Sequence, residues 1–347
     1  MAFLDALRGV AVGLVVVQHI GQLTSGRFRD FSTHSAQLGQ MGVMVFFLCS
    51  GFIIPATLER NDSLATFWVS RFFRLYPLYW LSLLGAGLLA AGGAVIAVGL
   101  GPRDWAANVT MVQGFLGSPH AIGVYWSLGY ELVFYVAVSV LFLLGVHRRS
   151  VALSVAAASL ALLATAACEL VLDRPVPLAT FCLVTMFTGT VLYRFHAGVV
   201  PLRTAALCTA YSLLSGAVVL WTALHGAEDP SLLGARSLVP MAVAWGGAYA
   251  IFCAGAWAWH RRAPGALRRL GLISYSVYLM QGLVFVAVPV SPRPWLSAAL
   301  WASGVVVVST VTYAVVERPA IASGRRIVAG LLARRAENSE APAAATP

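Results

Sequence analysis

The sequence predicts an all-α fold: a polytopic bundle of about ten transmembrane helices with both termini in the cytoplasm. Three observations carry that expectation. Of the 347 residues, 59% are hydrophobic and only 10% charged, where a soluble domain carries about 25% charged residues. Mean hydropathy is +0.82. A soluble core of any size still needs a polar shell, and lipid as the solvent removes that need. Stretches of about 20 apolar residues, the length that crosses the hydrocarbon core, recur about ten times along the chain.

In chain order, the expected spans are residues 4–24, 40–56, 75–100, 125–145, 150–172, 178–195, 204–224, 237–257, 270–288 and 295–315. Met1-Ala2-Phe3-Leu4-Asp5 has no basic segment, and no small-residue cleavage site follows. The first stretch is therefore expected to be an anchor rather than a signal peptide. Charge sets the orientation. All 23 basic residues are arginines; with the N-terminus inside, 17 fall on the inner side and 6 on the outer. That asymmetry is the positive-inside bias, and it accounts for the net charge of +10 without nucleic acid as a partner. The transmembrane domain is expected over residues 1–335. A disordered cytoplasmic tail rich in Ala, Pro, Glu and Ser is expected over residues 336–347. Cys49, Cys168, Cys182, Cys208 and Cys253 all sit in apolar runs without metal-ligand spacing. They are expected to be small core residues, with no disulfide framework and no metal.

A charged or titratable group at membrane depth costs at least a few kcal/mol, so each one asks for a reason. The spans hold few: Asp5, Arg8, His19, Glu131, Glu169 and Glu317, with Arg71 and Arg74 at the expected inner mouth of the third span. Glu169 lies near a helix end and is expected to be interfacial. Arg8 and His19 are eleven residues apart, about 16 Å along a helix and within about 20° of the same face. Glu131 lies five residues below Trp126, at a depth expected to match His19, where its carboxylate would orient the imidazole. Arg71 and Arg74, at i and i+3, share a helix face and would either clamp phosphate or bind lipid head groups. Gly42, Ser50 and Gly51 allow close helix approach. Ser274, Tyr278 and Gln281 form a polar stripe that either lines a cavity or joins helices.

Taken together these stretches resemble the acyltransferase-3 family of membrane acyltransferases, which acylate bacterial polysaccharides and macrolide sugars. The resemblance covers most of the chain. It rests on Leu4-Asp5-Ala6-Leu7-Arg8-Gly9 through His19, the Gly42 to Phe52 segment, and Arg71-x-x-Arg74-x-x-Pro77-x-Tyr79. It continues with Trp126-Ser127-Leu128-x-x-Glu131-x-x-Phe134-Tyr135, Ser274-Tyr275-x-x-Tyr278-Leu279 and Glu317-Arg318-Pro319. Two positions depart from the family pattern. Gln281 stands where His is frequent, and Cys49 where Leu is common.

The resemblance implies ten helices, a cytoplasmic acyl-CoA donor as co-substrate with no bound cofactor, and a sugar hydroxyl as the usual acceptor. His19, Glu131 and Arg8 are then the expected catalytic residues, with Arg71 and Arg74 binding the donor. Ser127, Tyr130, Tyr278 and Gln281 are expected to bind substrate. His19 would act as general base or carry the acyl group itself. The alternative is a transporter or flippase of an anionic or lipid-linked solute, since polar residues inside a bundle also mark transport paths. Against it stand the lack of repeat symmetry and of paired broken helices.

Overall fold

Helix α1 (Ala2–Thr24) packs against α3 (Leu38–Asn61), and the contact is close because of one glycine. A Cβ on Gly42 would collide with the Ala11 carbonyl. The same device joins α3 to a later helix, where Gly51 faces the Met186 carbonyl. The packing role expected of the Gly42–Gly51 stretch is therefore realised on both sides of α3.

In this computed structural model, residues 1–173, 176–225 and 238–340 are described, and among them the regular structure is helical with no strand. Short α2 (Gly26–His34) follows α1; α4 (Leu64–Ala91) follows α3. Next come α5 (Pro102–Val109), two 3-10 turns and α6 (Trp126–Leu143). The remainder is α7 (Ser150–Leu170), α8 (Leu178–His196), α9 (Leu202–His225), α10 (Leu238–Ala258), α11 (Gly265–Leu272), α12 (Ser274–Ala287), α13 (Pro294–Thr312) and α14 (Arg318–Glu340). On one side of α1 and α3 lie α7, α8, α9 and α10; on the other lie α4, α12, α13 and α14. Leucines 84, 88, 160, 163, 207 and 214 point outward from their helices, the surface a lipid solvent accepts.

Helices occupy all ten expected spans, and among the described residues eight are long and apolar enough to cross a membrane by themselves. Helix α8 carries Thr185, Thr188 and Thr190, whose hydroxyls donate to carbonyls within the helix, and it is enclosed by neighbouring helices. Arg194 on α8 pairs through both Nη atoms with the Glu59 carboxylate of α3 and donates to Ser150.

The expected ninth span, 270–288, needs correction. It is a broken pair, α11 and α12, bent by 68°, and counts as a ninth crossing only if taken as one. The break follows Gly271, where any side chain would strike the Asp5 carbonyl of α1. The third span also needs correction. Its helix starts eleven residues before the expected 75, where the Ser63 hydroxyl caps it by accepting from the Thr66 amide. It stops at Ala91, before Gly93 at φ +84°.

Two smaller expectations shift as well. Cys253 is exposed on α10, whereas the other four cysteines are buried. The tail boundary at 335 falls inside α14, which runs to Glu340, while residues 341–347 lie outside the described residues. Arg174, Arg236 and Ser237 also lie outside them. The segment between α4 and α6 is held by Asn108, which donates to the Asp104 and Pro119 carbonyls and accepts from the Ala121 amide. His120 there contacts Gln113 at 2.7 Å, and burial lowers its pKa from the ordinary value.

Candidate active site

Because eleven residues return to the same face of a helix, α1 presents both Arg8 and His19 to the bundle interior. Each opens onto a different cavity. The arginine cavity, of about 130 Å³, gathers Asp5 and Arg8 from α1, Ser50 from α3, and Arg71 and Arg74 from α4. Ser127, Glu131 and Tyr135 of α6 and Ser274, Tyr275 and Tyr278 of α12 complete its polar lining. The histidine cavity, of about 410 Å³, gathers Gln18, His19 and Gln22 from α1 with Gln37 and Gln40. Trp126 of α6 and Tyr278, Gln281 and Phe285 of α12 line its other walls. Val43 and Tyr278 line both cavities.

In the arginine cavity the cations are held by neighbours rather than by one another. The Arg71 guanidinium lies 5.6 Å from the Phe67 ring and 5.7 Å from the Tyr135 ring, a cation–π shelf. Arg74 Nη1 is 4.0 Å from Glu317 Oε1. Glu317 is fully buried at the end of a π-helical turn, Tyr313–Glu317, and accepts from the Ser276 hydroxyl at 2.7 Å. Such turns often aim a side chain at a site. Arg8 lies within electrostatic range of Arg74, Glu131 and Glu317.

Glu131 faces a different cavity from the expected one. It does not meet His19: its Oε1 accepts from the Ser50 hydroxyl at 2.7 Å and from the Tyr135 hydroxyl at 2.6 Å. The reason is the level at which α6 begins. Trp126, its first residue, already borders the histidine cavity, so Glu131 stands about 7.5 Å deeper, at the level of Arg8.

The imidazole of His19 instead has Gln281 as side-chain partner, with Nδ1 to Oε1 at 3.3 Å, the Val15 carbonyl one turn back on α1 as a backbone acceptor, and Phe285 with ring centroids 6.3 Å apart. Gln281 Nε2 donates to the Tyr278 carbonyl at 3.1 Å. The Tyr278 hydroxyl donates to the Val124 carbonyl at 3.0 Å and lies 2.8 Å from the Ser127 hydroxyl. Ser127, Tyr278 and Gln281, expected together at the substrate, are thus one connected group. Tyr130 is not part of it. It lines neither cavity and packs on Phe115 and Trp126, because it stands about 100° round the helix from Glu131.

The residues that sequence reasoning passes over are the partners: Ser50, Tyr135 and Ser276. Tyr135 carries a readable signal, being four residues from Glu131 on the same face. Ser50 is hidden in a stretch that packing alone explains. Among the described residues no three His, Cys, Asp or Glu side chains converge as metal ligands do.

The chain is similar in sequence to known proteins. The family model described as an acyltransferase domain matches residues 1–317. The chain is 33% identical over 147 residues to Acyltransferase MdmB of Streptomyces mycarofaciens, covering 38% of this chain and 36% of that protein. It is 27% identical over 326 residues to Nodulation protein 10 of Rhizobium leguminosarum bv. viciae, covering 85% of this chain and 84% of that one. The first match therefore spans little more than a third of the relative, and the second most of it. No solved structure matches significantly.

Proposed function

The chain belongs to the acyltransferase-3 family, and on that premise we propose that it is an integral-membrane O-acyltransferase taking an acyl group, acetyl in the first instance, from cytoplasmic acyl-CoA to a hydroxyl of a sugar, glycan or secondary metabolite. In this reading it crosses the cytoplasmic membrane ten times, with both termini inside, so the arginine cavity faces the cytoplasm. The observation that carries the reading is the pair of chemically different cavities sharing the Tyr278 wall. One is cationic, suited to the phosphates of a polyanionic donor. The other is lined by amides, aromatic rings and His19 and, among the described residues, has no Asp, Glu, Lys or Arg in its lining, which suits a neutral hydroxylated acceptor.

The reaction assigns each group a task. The thioester of the donor passes the Tyr278 wall toward His19. The acceptor oxygen attacks the thioester carbon while His19 takes its proton; the C–O bond forms, the C–S bond breaks, and the thiolate leaves and is protonated to CoA. A two-step route, with the acyl group first on His19, uses the same geometry. Arg8, Arg71 and Arg74 hold the donor. Glu131 is a positioning residue for that end, fixing Tyr135 beneath Arg71. Transport is less well supported, since the one bent helix pair has no counterpart among the described residues.

Purified protein in nanodiscs, given labelled acetyl-CoA and a panel of neutral glycosides, tests the proposal. Acceptor-dependent release of free CoA together with labelled ester is the expected result. Uptake of solute into sealed vesicles without thiol release would replace it with the transport reading.

A further inference from the structure

We infer that Gln281 fixes the tautomer of His19, holding the ring proton on Nδ1 and leaving Nε2 as the basic nitrogen. The Tyr278 carbonyl oxygen can only accept a hydrogen bond, and the Gln281 side chain approaches it at 3.1 Å. The end of the amide that faces it must therefore be the NH2 group. That sets the orientation of the whole amide, and its oxygen is the end left for His19, 3.3 Å from Nδ1. An amide oxygen carries no proton and can only accept, so Nδ1 must donate. A neutral imidazole has one ring proton, and Nε2 keeps its lone pair.

The device is rigid enough to act. Gln281 is 1% exposed. Its anchor, Tyr278, is itself tied through its hydroxyl to Val124 and Ser127. At 3.3 Å the bond to His19 is long for an N–H···O contact. It becomes charge-assisted, and so shorter and stronger, when the ring takes up a second proton. Gln281 thereby favours the imidazolium that forms during transfer more than the resting ring. It does so with a neutral group, so the histidine cavity gains no fixed charge. Gln281 is a positioning residue here: it works through His19 and need not touch the acceptor. This deepens the functional proposal and rests on it for the kinetic consequence, whereas the tautomer itself is independent of any activity.

The two can be tested apart. Protein labelled with 15N-histidine in nanodiscs gives ring-nitrogen signals whose shifts and couplings report which nitrogen carries the proton. The His19 signal is assigned by its loss in His19→Ala. The wild type should show Nδ1 protonated and Nε2 free. Gln281→Met, close in size but without the acceptor oxygen, should move the proton to Nε2 or to a mixture of both. Gln281→Glu, which keeps an acceptor, should retain it on Nδ1. In turnover, Gln281→Met should lower kcat by about 10-fold or more with the KM of donor and acceptor little changed, and Gln281→Glu should recover part of the loss. A wild-type spectrum with the proton on Nε2 overturns the inference, as does a Gln281→Met spectrum unchanged from wild type. Full activity of a folded His19→Ala protein, by contrast, would remove the catalytic proposal and leave the tautomer standing.

Discussion

The hydroxyls of Tyr278 and Ser127 lie 2.8 Å apart, where the arginine cavity and the histidine cavity share a wall. Both hydroxyls reach the Val124 carbonyl, Tyr278 at 3.0 Å and Ser127 at 3.4 Å, and either can donate to the other. A ring held this way narrows the passage between a cationic chamber and one lined by amides. Removing the ring should widen it. Tyr278→Ala is expected to raise acyl-CoA hydrolysis without acceptor while lowering transfer, read as the ratio of thiol released to ester formed. Tyr278→Phe keeps the ring and loses only the hydroxyl contacts, about 0.5–1.5 kcal/mol each, so its ratio should stay near wild type.

Arg71 and Arg74 should bind the donor rather than the acceptor. Replacing either with Gln is expected to raise the acyl-CoA Kd by roughly 10- to 150-fold, the equivalent of about 1.5–3 kcal/mol for one charge-assisted contact. Acceptor KM should change little. Lys should restore only part of the affinity, because a point charge cannot reproduce the planar guanidinium. Equilibrium binding to purified variants checks this, and unchanged donor affinity in both would assign the pair to lipid head groups.

Glu131 accepts from two hydroxyls at once, and one of them belongs to the ring beneath Arg71. Both hydroxyls donate to the same oxygen, Oε1, so in Glu131→Gln the amide oxygen can still accept from both, but the two bonds are no longer charge-assisted and weaken. Donor affinity should fall, and the melting temperature should fall with it. His19→Ala should change neither. Loss of transfer in Glu131→Gln with normal donor binding and stability would move Glu131 into the chemistry itself.

The orientation rests on the arginine bias, 17 inner against 6 outer. Single cysteines placed in the 101–123 segment of an otherwise cysteine-free protein should react with an impermeant thiol reagent on intact cells. Those placed at 261–269 should react only after the membrane is opened. Outside labelling of the 261–269 segment would invert the topology.

The helices are legible in the sequence because an apolar run of sufficient length satisfies its own backbone in lipid and needs no partner to be a helix. The buried charges are legible for the same reason: each is expensive alone. The depth of one helix against another is not written locally. The level of α6 depends on the turns before Trp126, and this places Glu131 beside Ser50 and Tyr135 instead of His19. The break between α11 and α12 depends on Gly271 meeting the Asp5 carbonyl at the other end of the chain. Tyr130 shows a further limit. It adjoins a site residue in sequence and faces elsewhere, because one step along a helix turns the side chain about 100°.

Single-turnover acyl transfer by His19→Ala in nanodiscs, with donor binding measured on the same preparation, decides whether His19 carries the chemistry. Transfer should fall by at least about 10²-fold, the usual contribution of a general base, while acyl-CoA binds as it does to wild type. Transfer at more than about a tenth of the wild-type rate, by protein that binds donor normally, would contradict that role and place the chemistry on another residue.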